Sequence, residues 1–265
     1  MRARTAIVAA SLLVGTTAWA APPLNLDRLD PATSRLADAT IAALDRFIAD
    51  RKAQGTLPLL TFGELYRPLR RDQRAVLNAI RGVDPRALQG SSRRLPPPSP
   101  TERFDRLEGQ RYQQGTHLVT LDTQYLPHDT FLAYQRMVAA IQRDLGTRLL
   151  VESGYRSPAH QLYLFLFYLP KHGYSIKETN RFVALPGCSE HGSPARQAID
   201  FINQAGINGE DHPEQFEALP EYVWLQSQAQ TYGFFLTYPR GNQANTSFEP
   251  WHWHYEPSPA SADPR

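Results

Sequence analysis

Three short stretches gather the residues able to do chemistry. In the first, Ser189-Glu190-His191 precedes Ala198-Ile199-Asp200-Phe201. Asp200 sits in the middle of an apolar run, where an unpaired carboxylate costs several kcal/mol. A metal ion or a buried cation offsets that cost. His191 lies just ahead, in a loop containing Gly and Pro, so a histidine and an aspartate converge from loop and strand. Zinc ligands of these types sit at about 2.0–2.2 Å from their ion, although a strand aspartate paired with an arginine satisfies the same residues. The second stretch is Glu249-Pro250-Trp251-His252-Trp253-His254-Tyr255-Glu256. Side chains alternate along a strand, so His252, His254 and Glu256 share one face and Trp251, Trp253 and Tyr255 the other. A histidine between two tryptophans is held firmly, as a ligand must be. Glu249 precedes the strand and can reach water at a metal without binding the metal. An aromatic strand with internally satisfied histidines is the alternative. The third is Ser153-Gly154-Tyr155-Arg156-Ser157, with Gln161 one turn into the next helix. An arginine on a strand-to-helix connection binds a carboxylate bidentately or stabilises an oxyanion; a structural salt bridge is the competing role.

The elements that must position these residues are legible in the hydrophobic pattern. Leu36, Ile41, Leu44, Phe47 and Ile48 form one helical stripe over 30–52. A second helix is expected over 69–82, with Leu69, Val76, Leu77 and Ile80 apolar and Arg70, Arg71, Arg74 and Arg81 exposed. That arginine face is either simply solvated or meets an anionic cell-wall polymer. Pro96-Pro97-Pro98 and Pro100 mark a linker. The organisation expected is an export signal at 1–20, a small helical N-terminal region at 21–90, a proline-rich linker at 91–107 and the main domain at 108–265. Within that domain, Asp129 is expected to cap a helix with the stripe Tyr134, Met137, Val138, Ile141 and Leu145, ended by Gly146. A strand over 148–152, a helix from Pro158 to Tyr168, a strand over 197–202, a helix over 214–232 and strands at 234–238 and 251–255 follow. The fold class expected is α+β, with a mostly antiparallel central sheet flanked by helices.

Composition narrows the function. The chain is 42% hydrophobic and 20% charged, ordinary for a globular protein. Met1-Arg2-Ala3-Arg4, the apolar run Ala6 to Val14 and Ala18-Trp19-Ala20 read as a secretory signal. Removing Arg2 and Arg4 leaves 26 basic and 26 acidic residues. That balance argues against nucleic acid as the partner. No stretch reaches the roughly 20 apolar residues of a membrane span, so none is expected after signal cleavage. Cys188 stands alone and cannot form an internal disulfide.

Taken in order, SGYRS with Gln161, then PG-x-SEH, then AID, then EPWH resemble the VanY-type D-alanyl-D-alanine carboxypeptidases, relatives of lysostaphin-like enzymes and the hedgehog domain. The resemblance covers roughly residues 120–256; the N-terminal 100 residues carry none. It implies zinc held by His191, Asp200 and His252, with Glu249 as catalytic base. It implies Arg156 at the substrate and the reacting oxygen, with Gln161 and Ser189 helping to hold the substrate. The family pattern usually has seven positions from histidine to aspartate. Here the step from His191 to Asp200 is nine; the two extra residues are expected in a bulged loop ahead of the strand, and within the strand an even insertion would still keep Asp200 on the same face. His254 stands where relatives often have an arginine.

The activity implied is zinc-dependent removal of a terminal D-alanine from peptidoglycan stem peptides by a monomeric periplasmic or extracellular protein. An L,D-carboxypeptidase, a peptidoglycan endopeptidase and a non-catalytic zinc-containing peptide-binding module are the alternatives on one scaffold. Serine carboxypeptidases of the penicillin-binding type need S-x-x-K. Lys52, Lys171 and Lys177 are preceded at that spacing by Ala49, Tyr168 and Tyr174, which excludes them. Cys188 is either a nucleophile near His191 or a small packing residue.

Overall fold

The computed structural model describes residues 24–88, 93–242 and 247–256; the expected export signal lies outside them. No described helix is long and apolar enough to cross a membrane. The chain opens with α1 (Pro31–Ala53), whose first amides are capped by the Asp30 carboxylate. A single turn at Leu57–Leu59 leads to α2 (Phe62–Tyr66), started by a capping box between Thr61 and Glu64, and to α3 (Arg71–Arg81). The stripes of α1 and α3 bury Leu44, Ile48, Val76, Leu77 and Ile80.

Four short strands follow: β1 (Phe104–Leu107), β2 (Arg111–Gln114), β3 (His117–Thr120) and β4 (Gln124–Pro127). They form two antiparallel ribbons, β1 with β4 and β2 with β3. The expected linker therefore ends in a paired strand. Its pattern was hidden because a four-residue strand with one fully buried side chain has too little alternation to read.

Helix α4 (His128–Leu145) begins two residues earlier than expected. Pro127 occupies the cap, and Asp129 lies in the first turn, where its charge complements the helix dipole. Gly146 ends the helix at φ 70°, a left-handed conformation that suits glycine. After β5 (Leu149–Ser153) come α5 (Pro158–Tyr168), α6 (Ile176–Asn180) and β6 (Ala198–Asn203). The helix expected over 214–232 is broken into α7 (Pro213–Glu217) and α8 (Pro220–Gln228), then a tight turn over Ala229–Tyr232. Pro220 lacks the amide needed to continue α7. Strands β7 (Phe234–Leu236) and β8 (His252–Tyr255) complete a four-stranded antiparallel sheet in the order β5-β6-β8-β7.

Two apolar cores result. One lies between the central sheet and α4, α7 and α8, and includes Met137, Ile141, Phe201, Phe216 and Trp253. The other joins α1 and α3 to α5, with Leu44, Leu77, Leu162 and Phe165 in one cluster. The chain passes between them at the β5–α5 connection, which carries Arg156. The N-terminal helices also grip that connection directly. Ser157 donates its amide to the Pro58 carbonyl at 2.9 Å and its hydroxyl to the Leu60 carbonyl at 2.5 Å. Tyr125 Oη donates to the Gly55 carbonyl.

A shared core predicts shared unfolding. Leu44→Ala in α1 and Leu162→Ala in α5 should each lower one common calorimetric transition, by about 2–5 kcal/mol. Two transitions, each moved by only one variant, would show instead that the helical region folds independently.

Candidate metal centre

Asp200 and His252 face each other directly in the β6–β8 register. Side chains opposite one another in an antiparallel pair point to the same face, so pairing alone brings this carboxylate and imidazole together. His252 Nδ1 lies 2.8 Å from Asp200 Oδ1. His191 reaches the same carboxylate from the turn Glu190–Gly192, with Nε2 3.1 Å from Asp200 Oδ2. One ligand atom from each of these residues lies within 4.8 Å of the others, making a three-residue group able to hold a metal ion. The extra residues between His191 and Asp200 form a turn, Pro194–Arg196, ahead of β6, so the strand keeps its register.

Each histidine has its other ring nitrogen engaged. His191 Nδ1 lies 2.8 Å from the Gly154 carbonyl, which leaves Nε2 for the cluster. His252 Nε2 lies 3.2 Å from Glu190 Oε2, which leaves Nδ1. Such outer partners select the tautomer and fix the ring of a metal-ligating histidine. Gly154 must approach closely to serve: a Cβ there would sit 2.5 Å from the Tyr125 carbonyl oxygen. Two imidazole nitrogens and one carboxylate, with room for a further ligand, match the donor set of a catalytic zinc site.

The charges are strongly coupled. Burial disfavours a charged Asp200, but the two histidines outweigh it and hold the carboxyl far below its usual range. Burial likewise opposes charge on His252, yet Asp200, Glu190 and Glu249 push it up to about 10. Burial dominates at His191 and lowers it. Glu249 lies beside the cluster, its Oε2 4.0 Å from His252 Nδ1. Burial drives its carboxyl up to about 7.

These residues line a cleft of about 1120 Å³ together with Arg156, Gln161, Ser189 and Tyr238. Arg156 is half-buried and donates a long bond, 3.4 Å, to Ser153 Oγ. Among the described residues no carboxylate pairs with it, so the salt-bridge alternative finds no partner. Its amide donates to the His191 carbonyl at 2.9 Å, tying the arginine segment to the histidine turn. Gln161 is buried, with Nε2 donating to the Ala184 carbonyl at 2.7 Å and Oε1 unpartnered. His254 is buried and engages Thr237 and Glu256 rather than Asp200. Cys188 packs against the core of α1, α3 and α5, and burial pushes its thiol up. Glu190 and Tyr238 were not singled out from the sequence. Glu190 was in plain view between Ser189 and His191, and a charged neighbour of a ligand is a usable signal. The Tyr238 ring lies 5.0 Å from that of His252 only because β7 and β8 pair.

Known proteins resemble this chain in sequence. Residues 123–258 match the model of the VanY family, described as D-alanyl-D-alanine carboxypeptidase. The chain is 32% identical over 162 residues to VanXYC of Enterococcus gallinarum, named as a bifunctional D-Ala-D-Ala dipeptidase and D-Ala-D-Ala carboxypeptidase. That alignment covers 56% of this chain and 78% of the relative. Among solved structures, the LdcB LD-carboxypeptidase overlaps at TM-score 0.46 and 25% identity, covering 62% of this chain and 73% of that one. VanYB in complex with D-alanine-D-alanine overlaps at 0.43 and 21%, covering 63% and 84%. The assignment rests on sequence, and the family match over residues 123–258 includes His191, Asp200, His252, Glu249 and Arg156. The chain belongs to the VanY family of D-alanyl-D-alanine carboxypeptidases.

Proposed function

We propose that this protein is a zinc-dependent D-alanyl-D-alanine carboxypeptidase acting on peptidoglycan stem peptides outside the membrane. The observation that carries the reading is one cleft holding both a three-residue group able to hold a metal ion and an arginine with no ion-paired carboxylate among the described residues. A carboxypeptidase needs both: a site for hydrolysis and a cation for the substrate's terminal carboxylate.

His191 through Nε2, Asp200 through a carboxylate oxygen and His252 through Nδ1 would hold the ion. Zinc supplies Lewis acidity there, polarising a carbonyl and lowering the pKa of water from about 15.7 to about 7. Glu249 is the proton carrier. It takes a proton from the attacking water and passes it to the nitrogen of the departing D-alanine. A carboxyl raised to about 7 is well matched to both transfers near neutral pH. Arg156 binds the negative charge of the substrate, with Ser189 and the free Oε1 of Gln161 placed to take its polar groups. Desolvation of the Arg156 guanidinium strengthens its attraction for a carboxylate.

Three outcomes test the reading. Purified protein supplied with zinc should release D-alanine from muropeptides ending in D-Ala-D-Ala, and Glu249→Ala should slow that release roughly 10²–10⁴-fold. Binding without release by either protein would leave only a peptide-binding module, and mass spectrometry of the products would reveal an L,D or endopeptidase cut. Arg156→Lys keeps the charge but loses the bidentate fork, so kcat/KM should fall roughly ten- to hundredfold. Zinc binding should also depend on pH. His252 holds its proton up to about pH 10 and must release it to ligate. Affinity should therefore rise with pH through the neutral range, with proton release seen by calorimetry in buffers of different ionisation enthalpy. Pure zinc binding with no proton release would contradict ligation by His252.

A further inference from the structure

A second polar network stands behind His252, on the side away from the ligand group. Its centre is Glu190, whose side chain is only 10% exposed. Glu190 Oε2 faces His252 Nε2 at 3.2 Å and accepts from Thr237 Oγ1 at 2.9 Å. Its other oxygen accepts from Arg196 Nε at 2.5 Å. Arg196 also reaches Glu256 through Nη1, so one guanidinium spans two carboxylates. His254 closes the network, with Nδ1 2.7 Å from Thr237 Oγ1 and Nε2 3.2 Å from Glu256 Oε1. Arg196 is the last residue of the Pro194–Arg196 turn, the segment that lengthens the step from His191 to Asp200.

We propose that Arg196 is a positioning residue for the metal centre: it fixes Glu190, and Glu190 fixes the His252 ring with Nδ1 towards Asp200 and His191. The inference rests on reading those three residues as metal ligands. The physical case is one of charge and geometry. A buried carboxylate without a cation costs several kcal/mol. Without Arg196, the remaining donors to Glu190 are a hydroxyl and an imidazole. The least costly relief is rotation of the carboxylate towards solvent, which removes the acceptor that orients His252. The Arg196 fork prevents this, because it is anchored at its far end by Glu256. A lysine, as a point charge, cannot hold both carboxylates in one geometry. The lengthened loop thus has a positive role: it delivers a cation to the back of a ligand whose front must remain free.

The test compares full-length wild type with Arg196→Ala, Arg196→Gln and Arg196→Lys. Each protein is stripped of metal, and zinc affinity is measured by competition with a chromogenic chelator, alongside the unfolding temperature without metal. The expected result is a ten- to hundredfold weaker zinc Kd for the Ala variant, the size typical of a lost outer partner. The Lys variant should recover part of that loss. Should Arg196→Ala not fold, Arg196→Gln, which keeps a donor without the charge, is expected to show the same weakening. A wild-type zinc Kd in the folded Ala or Gln variant overturns the proposal, and with a lowered unfolding temperature it shows that Arg196 only braces the fold. Failure of the wild type itself to bind zinc overturns the metal reading beneath it, which is a different result.

Discussion

The structure is organised around one half-buried carboxylate. Asp200 lies in the middle of β6, flanked by Ile199 and Phe201, both fully buried. An ionised side chain there is tolerable only if charge and hydrogen bonds meet it from both oxygens. His252 meets one oxygen from the neighbouring strand and His191 meets the other from the preceding turn. Most other features of the site follow from keeping those two rings in place. The Gly154 carbonyl holds one and the Glu190 carboxylate holds the other, so the local polar chemistry is arranged in shells around a single strand position.

The same logic explains why the cleft needs the whole described chain. Arg156 lines the cleft without an ion pair to an acid among the described residues, although Glu152, Glu210 and Asp211 also line that space. Its backbone is fixed instead. The amide bonds to the histidine turn, and Ser157 is held by two carbonyls from the segment between α1 and α2. Ile48, Lys52, Leu57 and Pro58 form part of the cleft wall. The N-terminal helices thus contribute rigidity to the arginine and surface to the cleft, through a core shared with α5.

Side chains that look like spare chemistry have ordinary positions. His254 is a strand neighbour of His252 on the same face, but two residues along a strand is about 6.6 Å, too far to join the same three-residue group. It serves the network around Glu190 instead. Cys188 lines the cleft yet packs against apolar neighbours, and burial disfavours its thiolate.

The sequence alone determined the ingredients of the site and most of the long elements. Spacing and apolar stripes place α1, α3, α4, α5 and the central strands, because these segments bury one regular face each. The order of the motifs, through the resemblance they carry, singles out His191, Asp200, His252, Glu249 and Arg156. Only the tertiary structure decided how those residues meet. The β6–β8 register sets Asp200 opposite His252, and register depends on pairing between residues 52 apart in the chain. Short strands such as β1, and the break at Pro220, escaped the pattern because local propensity there is weak or mixed. Glu190 stood beside His191 in the motif, whereas Arg196 carried no signal of its own, since a charged residue in a loop is usually solvated. Their role exists only because the turn before β6 folds back behind His252, a long-range contact that no local periodicity records.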